Sequence, residues 1–245
     1  MLLLISSLLL MSCGADKYMK KGEKFLALGE YYDAANQFKQ AYTRTPAKER
    51  NTRGKRALKM AQCYQRINAT PKAIAAYRNA IRYNQASKED QLAYARQLLK
   101  NGDYRQAEKV FLMLKDSMPG NQLVANGLKS AQMAPEWKKQ GSRYIVKRMD
   151  VFNSRRYDYS PVLFGDDYDQ LYFTSTRNEA LGDELSGITG TKAGDIFLSE
   201  KDDRGKWSKP EAIGTGLNTD YDEGACCFTP DGREMYLTQL SLIHI

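Results

Sequence analysis

The sequence has a single histidine, His244, among its 245 residues. Ser-His-Asp and Cys-His nucleophilic sites and histidine-based zinc sites all need a histidine in the folded chain. His244 lies at the end of the sequence, in residues that we predict below to be a non-native tail. The paired carboxylates Asp166-Asp167 and Asp202-Asp203 fall in turn-like sequence, where ordinary solvated turns explain them. A glycine-rich phosphate-binding loop is also missing. These absences predict a chain that is not an enzyme and that holds neither a metal nor a cofactor.

Cysteines are few, and no apolar run is long. Cys63 is predicted to lie in a helix and to face the hydrophobic core. Cys226-Cys227 is predicted to lie in a strand, where neighbouring side chains point to opposite faces. No Cys-x-x-Cys pair is present, so the spacing predicts neither a redox motif nor a thiolate metal site. The apolar run Met1–Met11 is too short to span a bilayer and has the length of a signal-peptide core.

Charge divides the sequence into two parts. Residues 14–140 contain 25 Lys and Arg against 11 Asp and Glu, a net +14, whereas residues 141–245 contain 12 against 18, a net −6. The change falls where the helical pattern ends, which predicts two domains. A basic first part fits an acidic partner, which can be nucleic acid, anionic lipid or an acidic protein segment. An ordinary solvated helix surface explains the same charge.

A helical hairpin is predicted between Ser87 and Pro119. Apolar residues recur at three- and four-residue steps on both sides of Asn101-Gly102-Asp103. Ser87 and Asp90 predict the start of the first helix, and Pro119 the end of the second. Small and large apolar positions follow one another at Ala95, Gly102, Tyr104, Ala107, Phe111, Leu114 and Pro119. In this order the stretch resembles a tetratricopeptide (TPR) repeat.

The same register recurs twice upstream. The first copy consists of Gly22, Gly29, Tyr31, Ala34, Phe38, Ala41 and Pro46, and the second of Ala61, Asn68, Ala73, Tyr77, Ala80 and Gln85. The step from Tyr77 to Phe111 equals the TPR period, whereas the step from Phe38 to Tyr77 is longer by five. We therefore expect an insertion of five residues near Ala47–Arg53 and a capping helix at Leu123–Met133. The resemblance implies an all-α TPR solenoid of three repeats plus a cap at residues 14–134.

The sequence Leu10-Met11-Ser12-Cys13 resembles a bacterial lipobox. The resemblance implies a signal peptide at residues 1–12 and a lipid on Cys13, which becomes the first residue of the mature protein. Gly14, in place of an aspartate, implies the outer membrane. The missing basic segment before the apolar run predicts a natural start upstream of Met1. Export would exclude nucleic acid as a partner; a buried N-terminal helix with an incidental Cys is the alternative.

The second part has a period of two and an internal repeat with a constant offset. Tyr157–Phe164 matches Tyr221–Phe228, and Leu171–Thr174 matches Met235–Thr238. Each copy predicts a β-hairpin, and Pro230-Asp231-Gly232-Arg233 is a strong turn sequence in the second. A further strand is predicted at Asp195–Glu200.

The hairpins carry a family pattern at Ser160-Pro161, Asp167, Leu171–Arg177 and Asp195–Phe197. This pattern resembles the PD40 repeat of WD40-like propellers of the TolB family. It implies an incomplete all-β propeller at residues 157–239, one blade plus one hairpin, after a linker and first strand at residues 135–156. Because so few strands cannot close a ring, we interpret the sequence as a fragment. Residues 240–245 are predicted to be a non-native tail.

The concave face of the solenoid, lined by the first helix of each pair, is the predicted binding surface. The TPR resemblance places five residues on it, namely Lys55, Gln62, Arg66, Arg96 and Lys100. Four cations in one groove can hold a carboxylate or an acidic peptide. Ordinary solvent-facing charges are the alternative.

The order of lipobox, TPR array and PD40 propeller makes this an α + β multidomain chain. The order resembles PorE-type outer-membrane lipoproteins of Bacteroidota, which are associated with type IX secretion. The resemblance implies a non-catalytic periplasmic scaffold that is held at the outer membrane by lipid on Cys13. Such a scaffold would bind protein partners and would reach peptidoglycan through an OmpA-family C-terminal domain that this chain lacks. The alternatives are a general OmpA-family envelope lipoprotein unrelated to secretion, and an enzyme whose catalytic domain lies beyond residue 245.

Overall fold

The computed structural model describes residues 2–214 and 216–240, with side chains from Gly14 onward. The chain divides into two compact units. The first comprises the residues up to Arg143 together with the loop Gly187–Thr189, and the second comprises Tyr144–Ser186 and the residues from Gly190 on. The first unit is built from helices and the second from strands.

Seven helices form the first unit within the described residues. They are α1 (Leu2–Ala27), α2 (Tyr31–Arg44), α3 (Arg50–Arg66), α4 (Thr70–Arg82), α5 (Lys88–Asn101), α6 (Tyr104–Ser117) and α7 (Gln122–Gln140). Each helix packs against the next one in sequence. Residues 28–30, 67–69 and 102–103 form the short turns inside the three hairpins. The all-α, TPR-like organisation predicted for this part of the chain is therefore confirmed.

One large aromatic residue from the second helix of each hairpin fills the core. Phe38, Tyr77 and Phe111 occupy the same position in α2, α4 and α6, and all three are buried. Glycines let neighbouring helices approach two of these rings. A Cβ atom on Gly22 would lie 2.6 Å from Phe38, and one on Gly127 would lie 2.3 Å from Phe111. A larger residue at either glycine would therefore overpack the core.

The predicted break in the third hairpin is confirmed in detail. The backbone N–H of Asp90 donates to Ser87 Oγ at 3.1 Å, and the N–H of Ser87 donates to Asp90 Oδ2 at 3.0 Å. This reciprocal capping box fixes the start of α5. Gly102 ends α5 with a φ of 83°, a left-handed conformation that glycine adopts at little cost.

The five extra residues of the second hairpin do not form an inserted loop, as the sequence predicted near Ala47–Arg53. Residues 45–49 connect α2 to α3, and residues 83–87 connect α4 to α5, so the two connections are equally long. Helix α3 instead has 17 residues where α5 has 14, and α2 and the turn at residues 67–69 are each one residue longer than α4 and the turn at residues 102–103. The prediction was wrong because Gly54 and Ala57 are buried, so packing continues the helix through this segment.

Two predicted boundaries were also wrong. Helix α7 continues through Pro135 to Gln140, although the helical region was predicted to end at residue 134. Proline removes only one backbone donor, and Lys138 and Lys139 suit the C-terminal end of the helix that follows it. The first strand predicted within residues 135–156 was expected at the alternating stretch Arg143–Val151, but these residues are exposed and belong to neither described sheet. Without a buried face, its alternating pattern has nothing to pack against.

Six strands in two open sheets form the second unit within the described residues. They are β1 (Asp158–Phe164), β2 (Gln170–Ser175), β3 (Asp195–Glu200), β4 (Glu211–Ala212), β5 (Asp222–Phe228) and β6 (Met235–Leu240). Strands β1 to β4 form one antiparallel sheet in sequential order, and β5 pairs with β6. Sequential four-stranded sheets are the blades of propellers. Closure into a propeller stays a prediction.

The two repeated hairpins share a bulge but differ in register. The bulge lies between Tyr159 and Val162 in β1 and between Gly224 and Cys226 in β5. After the bulge, Val162 pairs with Tyr172 in the first hairpin. The equivalent residues of the second hairpin are Cys226 and Tyr236, but Cys226 pairs with Leu237, one residue further along. The loops account for the difference, because residues 165–169 close the first hairpin and residues 229–234 close the second.

The predicted tail at residues 240–245 overlaps the last strand by one residue. Leu240 is the end of β6 and pairs with Asp222. Residues 241–245, which include His244, lie outside the described residues.

Candidate functional site

The first helices of the second and third hairpins present one equivalent accessible face. On α3 the face consists of Lys55, Lys59, Gln62 and Arg66, and on α5 of Glu89, Ala93, Arg96 and Lys100. Both sets follow steps of four, three and four residues, which place side chains on one side of a helix. The two sets are separated by one TPR period, so they occupy the same positions in successive repeats.

Polar side chains connect this face from helix to helix. Lys59 Nζ lies 3.2 Å from Glu23 Oε1 on α1, and Gln62 Nε2 donates to Asp90 Oδ1 on α5 at 3.1 Å. Asp16 of α1 pairs with Arg56 of α3, whose side chain is almost fully buried. These contacts fix the spacing of α1, α3 and α5 and so preform the surface between them.

A groove with a volume of about 430 Å³ opens on this surface. Its lining combines residues of all three helices with two tyrosines of the second helices, namely Leu26, Tyr31, Gln62, Cys63, Gln65, Arg66, Tyr77, Glu89, Asp90 and Ala93. We name it the α1–α3–α5 groove. It is large enough for a few side chains of an extended peptide and lies on the rigid elements of the solenoid.

Arg66 and Glu89 give the groove opposite charges at its rim. The guanidinium of Arg66 lies 5.7 Å from the centre of the Tyr31 ring, a cation–π contact. Within the described residues, neither Arg66 nor Glu89 forms an ion pair, and both side chains are exposed. Asp90, in contrast, is occupied by Gln62 and by the cap of α5. Arg66 and Glu89 are therefore the charged groups that remain available for a ligand in this groove.

The floor of the groove is neutral. Tyr77 donates its hydroxyl to Gln65 Oε1 at 2.6 Å. Burial raises the pKa of Tyr77, and the nearby Asp90 and Cys63 raise it further, so the hydroxyl keeps its proton. Burial also raises the pKa of the Cys63 thiol to about 11. A thiol of this pKa is protonated at neutral pH and is a poor nucleophile, so the cysteine serves the floor as a small apolar group.

The structure brings only part of the predicted cationic site together. Gln62 and Arg66 line the groove. Lys55, Arg96 and Lys100 are exposed on the same face of α3 and α5 but do not line it. Lys100 is also engaged, because its Nζ donates to Asn68 Oδ1 in the turn after α3 at 2.6 Å. The available binding groove therefore has one cation, Arg66, where the sequence suggested four.

Sequence reasoning missed the acidic and aromatic members of the groove. Glu89 stands one repeat period after Lys55, so the repeat register alone could have placed it on the same face. Tyr31 lies at the start of α2, a position that the pattern assigned to packing between helices. Its ring contributes to the groove because the Arg66 guanidinium reaches across to it.

Cys13 lies within the span of α1, but its side chain lies outside the described residues. Its lipidation stays a prediction. Among the helices of the described residues, none combines the length and apolar character needed to cross a membrane.

The second unit contains a buried ion pair between Asp158 of β1 and Arg177, which lies just after β2. Arg177 donates to Asp158 Oδ1 at 2.9 Å, and its side chain and that of Asp158 are 8% and 9% exposed. Arg177 also donates to the backbone oxygen of Phe152 at 2.6 Å and to Ser175 Oγ at 2.9 Å. Burial alone would raise the pKa of Asp158, but hydrogen bonds from Ser175, Ser154 and Arg177 outweigh it and lower the pKa. These contacts give the pair a structural role, because they hold residue 152, β1 and the end of β2 together.

A second buried acid lies at the start of β3. Asp195 is fully buried; its Oδ2 accepts a hydrogen bond from the Leu181 N–H at 2.7 Å, and its Oδ1 has no partner among the described residues. Burial raises the pKa of Asp195, and the charges of Glu223 and Asp222 raise it further, against the effects of the Leu181 hydrogen bond and Lys192. In the part of the chain that the structure describes, no three acidic, cysteine or histidine side chains are grouped to hold a metal ion.

No protein-family model matches the sequence. No curated protein matches it. Thirty-eight chains of solved structures match it in three dimensions.

Three of these structures are TPR domains. The first TPR of Spaghetti (RPAP3), bound to the HSP90 peptide SRMEEVD, is 18% identical, with 51% of this chain and 96% of that one covered at a TM-score of 0.42. The C-terminal TPR-containing domain of a Plasmodium falciparum FK506-binding protein is 15% identical, with 54% and 94% covered at 0.46. The Sgt2 TPR domain of Aspergillus fumigatus is 18% identical, with 56% and 88% covered at 0.40. At this level of likeness, the hairpin arrangement rests on the packing described above, and no partner or function is carried over.

Proposed function

We propose that this chain is a non-catalytic interaction scaffold that binds an extended protein segment in the α1–α3–α5 groove. The observation that carries the proposal is the availability of Arg66 and Glu89 in a preformed groove whose other charged residue, Asp90, is already hydrogen-bonded. Polar contacts between the three helices occupy the other charged groups nearby. A groove of this kind offers orientation and charge recognition without groups arranged for bond making or breaking.

The charges of the groove define the segment that fits it. A carboxylate of the partner can accept hydrogen bonds from Arg66, whose guanidinium is oriented by the Tyr31 ring. A basic side chain or backbone N–H of the partner can approach Glu89, which lines the same groove. The net charge of +14 suggested only an acidic partner segment. The groove suggests a more specific segment, which has a carboxylate for Arg66 and a nearby hydrogen-bond donor for Glu89.

The cellular setting is also part of the proposal. Lipid on Cys13 would hold the helical unit at the periplasmic side of the outer membrane, in keeping with the lipobox-like sequence that ends at this residue. The domain order supports a PorE-type scaffold of Bacteroidota that connects type IX secretion or other envelope machinery to peptidoglycan. In this scheme the strand unit is part of a propeller that binds protein partners, and a downstream domain contacts the cell wall.

A photo-crosslinking amino acid tests the groove in the cell envelope. It would replace Ala93, which lines the groove, or Ala75, an exposed alanine of α4 outside it. We expect a discrete protein adduct from position 93 and none from position 75. Equal adducts from the two alanines, or none from position 93, would overturn the assignment of the groove.

Charge reversal then tests the chemistry of binding. Because a hydrogen bond to a charged group contributes about 1.5–3 kcal/mol, Arg66→Glu should reduce the adduct at least about tenfold. Arg78→Glu, the same change at an exposed arginine of α4, is the matched control and should leave it unchanged. If Arg66→Glu leaves the adduct yield unchanged, the partner does not bind this guanidinium.

A further inference from the structure

Four lysines form a basic stripe on the outer side of α1. Lys17, Lys20, Lys21 and Lys24 are all exposed, and within the described residues none of them forms an ion pair. We name this set the lysine face. It extends over about two turns of helix, about 10 Å along the axis, so the four charges are concentrated in a small area.

The acidic residues of the same segment are both engaged by α3, although Asp16 lies in the same surface depression as the four lysines. Asp16 pairs with Arg56 of α3, and Glu23 pairs with Lys59 of α3. Because both carboxylates of residues 14–28 pair with basic side chains of α3, neither forms an ion pair with the four lysines. The lysine face therefore keeps a net positive charge, even with Asp16 beside it.

The lysines of this face lie at helical spacing from Cys13, the candidate lipid-attachment residue. In the sequence, Cys13, Lys17, Lys20 and Lys24 are separated by four, three and four residues, the spacing of one side of a helix. Lys17 comes one helical turn after Cys13. Leu28, at the next four-residue step, is 72% exposed and adds an apolar group beside the lysines.

We propose that the lysine face binds the surface of an anionic lipid bilayer. This inference rests on the proposed lipid anchor, which would bring α1 to a membrane. Lysine stems can lie along the acyl boundary while the ammonium groups meet lipid phosphates. Binding would orient the helical unit, because α1 would lie against the bilayer while the α1–α3–α5 groove uses another side of the same helix.

A vesicle-binding assay tests the lysine face without the lipid. The chain carries Cys13→Ser, so that no acyl group attaches. It is mixed with vesicles of phosphatidylcholine alone or of phosphatidylcholine and phosphatidylglycerol in equal amounts. Any binding through the apolar residues 1–12 would be similar for both vesicle types, so the difference between them reports charge. We expect tighter binding to the anionic vesicles, with a loss as salt screens it.

Glutamine substitutions locate the binding surface. Each lysine near an anionic surface contributes roughly a fivefold gain in affinity, so Lys20→Gln with Lys24→Gln should weaken binding by roughly 25-fold. The matched control replaces two exposed lysines elsewhere in the helical unit, Lys39→Gln with Lys109→Gln, and should change binding much less. Circular dichroism checks that both variants remain helical.

Three outcomes would overturn the proposal. Equal losses from the two lysine pairs would mean general charge attraction and no specific face. Equal binding to neutral and anionic vesicles would remove the electrostatic contact. Displacement by millimolar inorganic phosphate would show that the face binds free anions and not a bilayer. Because this chain carries no acyl group, a failure of lipidation at Cys13 would leave the assay unaffected, and the two ideas fail separately.

Discussion

Replacing Arg177 by methionine tests the buried ion pair that holds the strand unit together. Methionine keeps an apolar stem between the rings of Phe173 and Phe197, which lie 5.0 and 4.7 Å from the guanidinium. The change therefore removes the charge and its hydrogen bonds more than the packing. Asp158 would be left 9% exposed without its cationic partner.

The expected cost follows from the partners that Asp158 keeps. Removing one member of a buried pair costs about 3–5 kcal/mol, because the other charge stays buried. Asp158 retains hydrogen bonds from the Ser154 N–H at 2.6 Å and Ser175 Oγ at 2.7 Å, which places the cost near the lower limit. A loss of about 3 kcal/mol shifts the urea midpoint by roughly 2 M for a slope of about 1.5 kcal/mol/M.

Fluorescence of Trp207 follows the unfolding of this unit. Its ring lies 5.3 Å from that of Phe152, whose backbone oxygen accepts from Arg177. The chain has two tryptophans, so Trp137→Phe makes the signal specific to the strand unit. Arg156→Met is the matched control, since this exposed arginine forms no ion pair in the described part of the chain, and it should cost less than about 0.5 kcal/mol.

A double-mutant cycle with Asp158→Asn separates the pair from other effects of the substitution. If each charge is costly mainly when the other is missing, the double variant should lose less stability than the two single variants added together. We expect this difference to be about 2 kcal/mol or more. Additive costs would refute the reasoning, because they would show that neither charge is left uncompensated by loss of the other.

The remaining predictions concern a buried acid and the candidate lipid site. The pKa of Asp195 is raised, first by burial and then by the charge of Glu223. The contribution of Asp195 to stability therefore falls as the pH rises from the pKa of the unfolded state, near 4, through the pKa of the folded state. Asp195→Asn should therefore stabilise the strand unit at pH 7 and lose that advantage toward pH 4 in urea unfolding; a variant that is less stable at pH 7 would contradict this. At Cys13, a palmitate analogue supplied to a bacterial host should label the wild-type chain and not Cys13→Ser, and equal labelling of both would remove the lipid anchor.

The helical unit was predictable because its determinants are local. The capping residues Ser87 and Asp90, the left-handed Gly102 and the buried Phe111 all act within one hairpin of neighbouring sequence. The repeat period then placed the equivalent residues of the other hairpins. What the period could not locate was the five-residue difference. Three of these residues lengthen α3, whose Gly54 packs against Tyr83 and Gln85 from the neighbouring segment.

The strand unit was predictable only in outline, since strand pairing depends on loops and on distant residues. The hairpins and the turn at residues 230–233 follow from alternation and turn chemistry. One additional loop residue shifts the register of β5 with β6, and no pattern within the strands records this shift. The role of Arg177 was equally hidden, because Asp158 and Phe152 approach it only after the strands have paired.

The groove shows why net charge is a poor guide to where a partner binds. The value of +14 for residues 14–140 suggested a cationic groove, but Gln62 and Asp90 are paired there and Glu89 opposes Arg66. The unpaired positive charge lies instead on surfaces such as the lysine face, because α3 neutralises the acids of α1. If both proposals hold, an acidic peptide and an anionic lipid, which the composition could not distinguish, would bind different sides of the helical unit. Salt should then weaken vesicle binding, which involves four lysines, far more steeply than peptide binding, which involves one arginine.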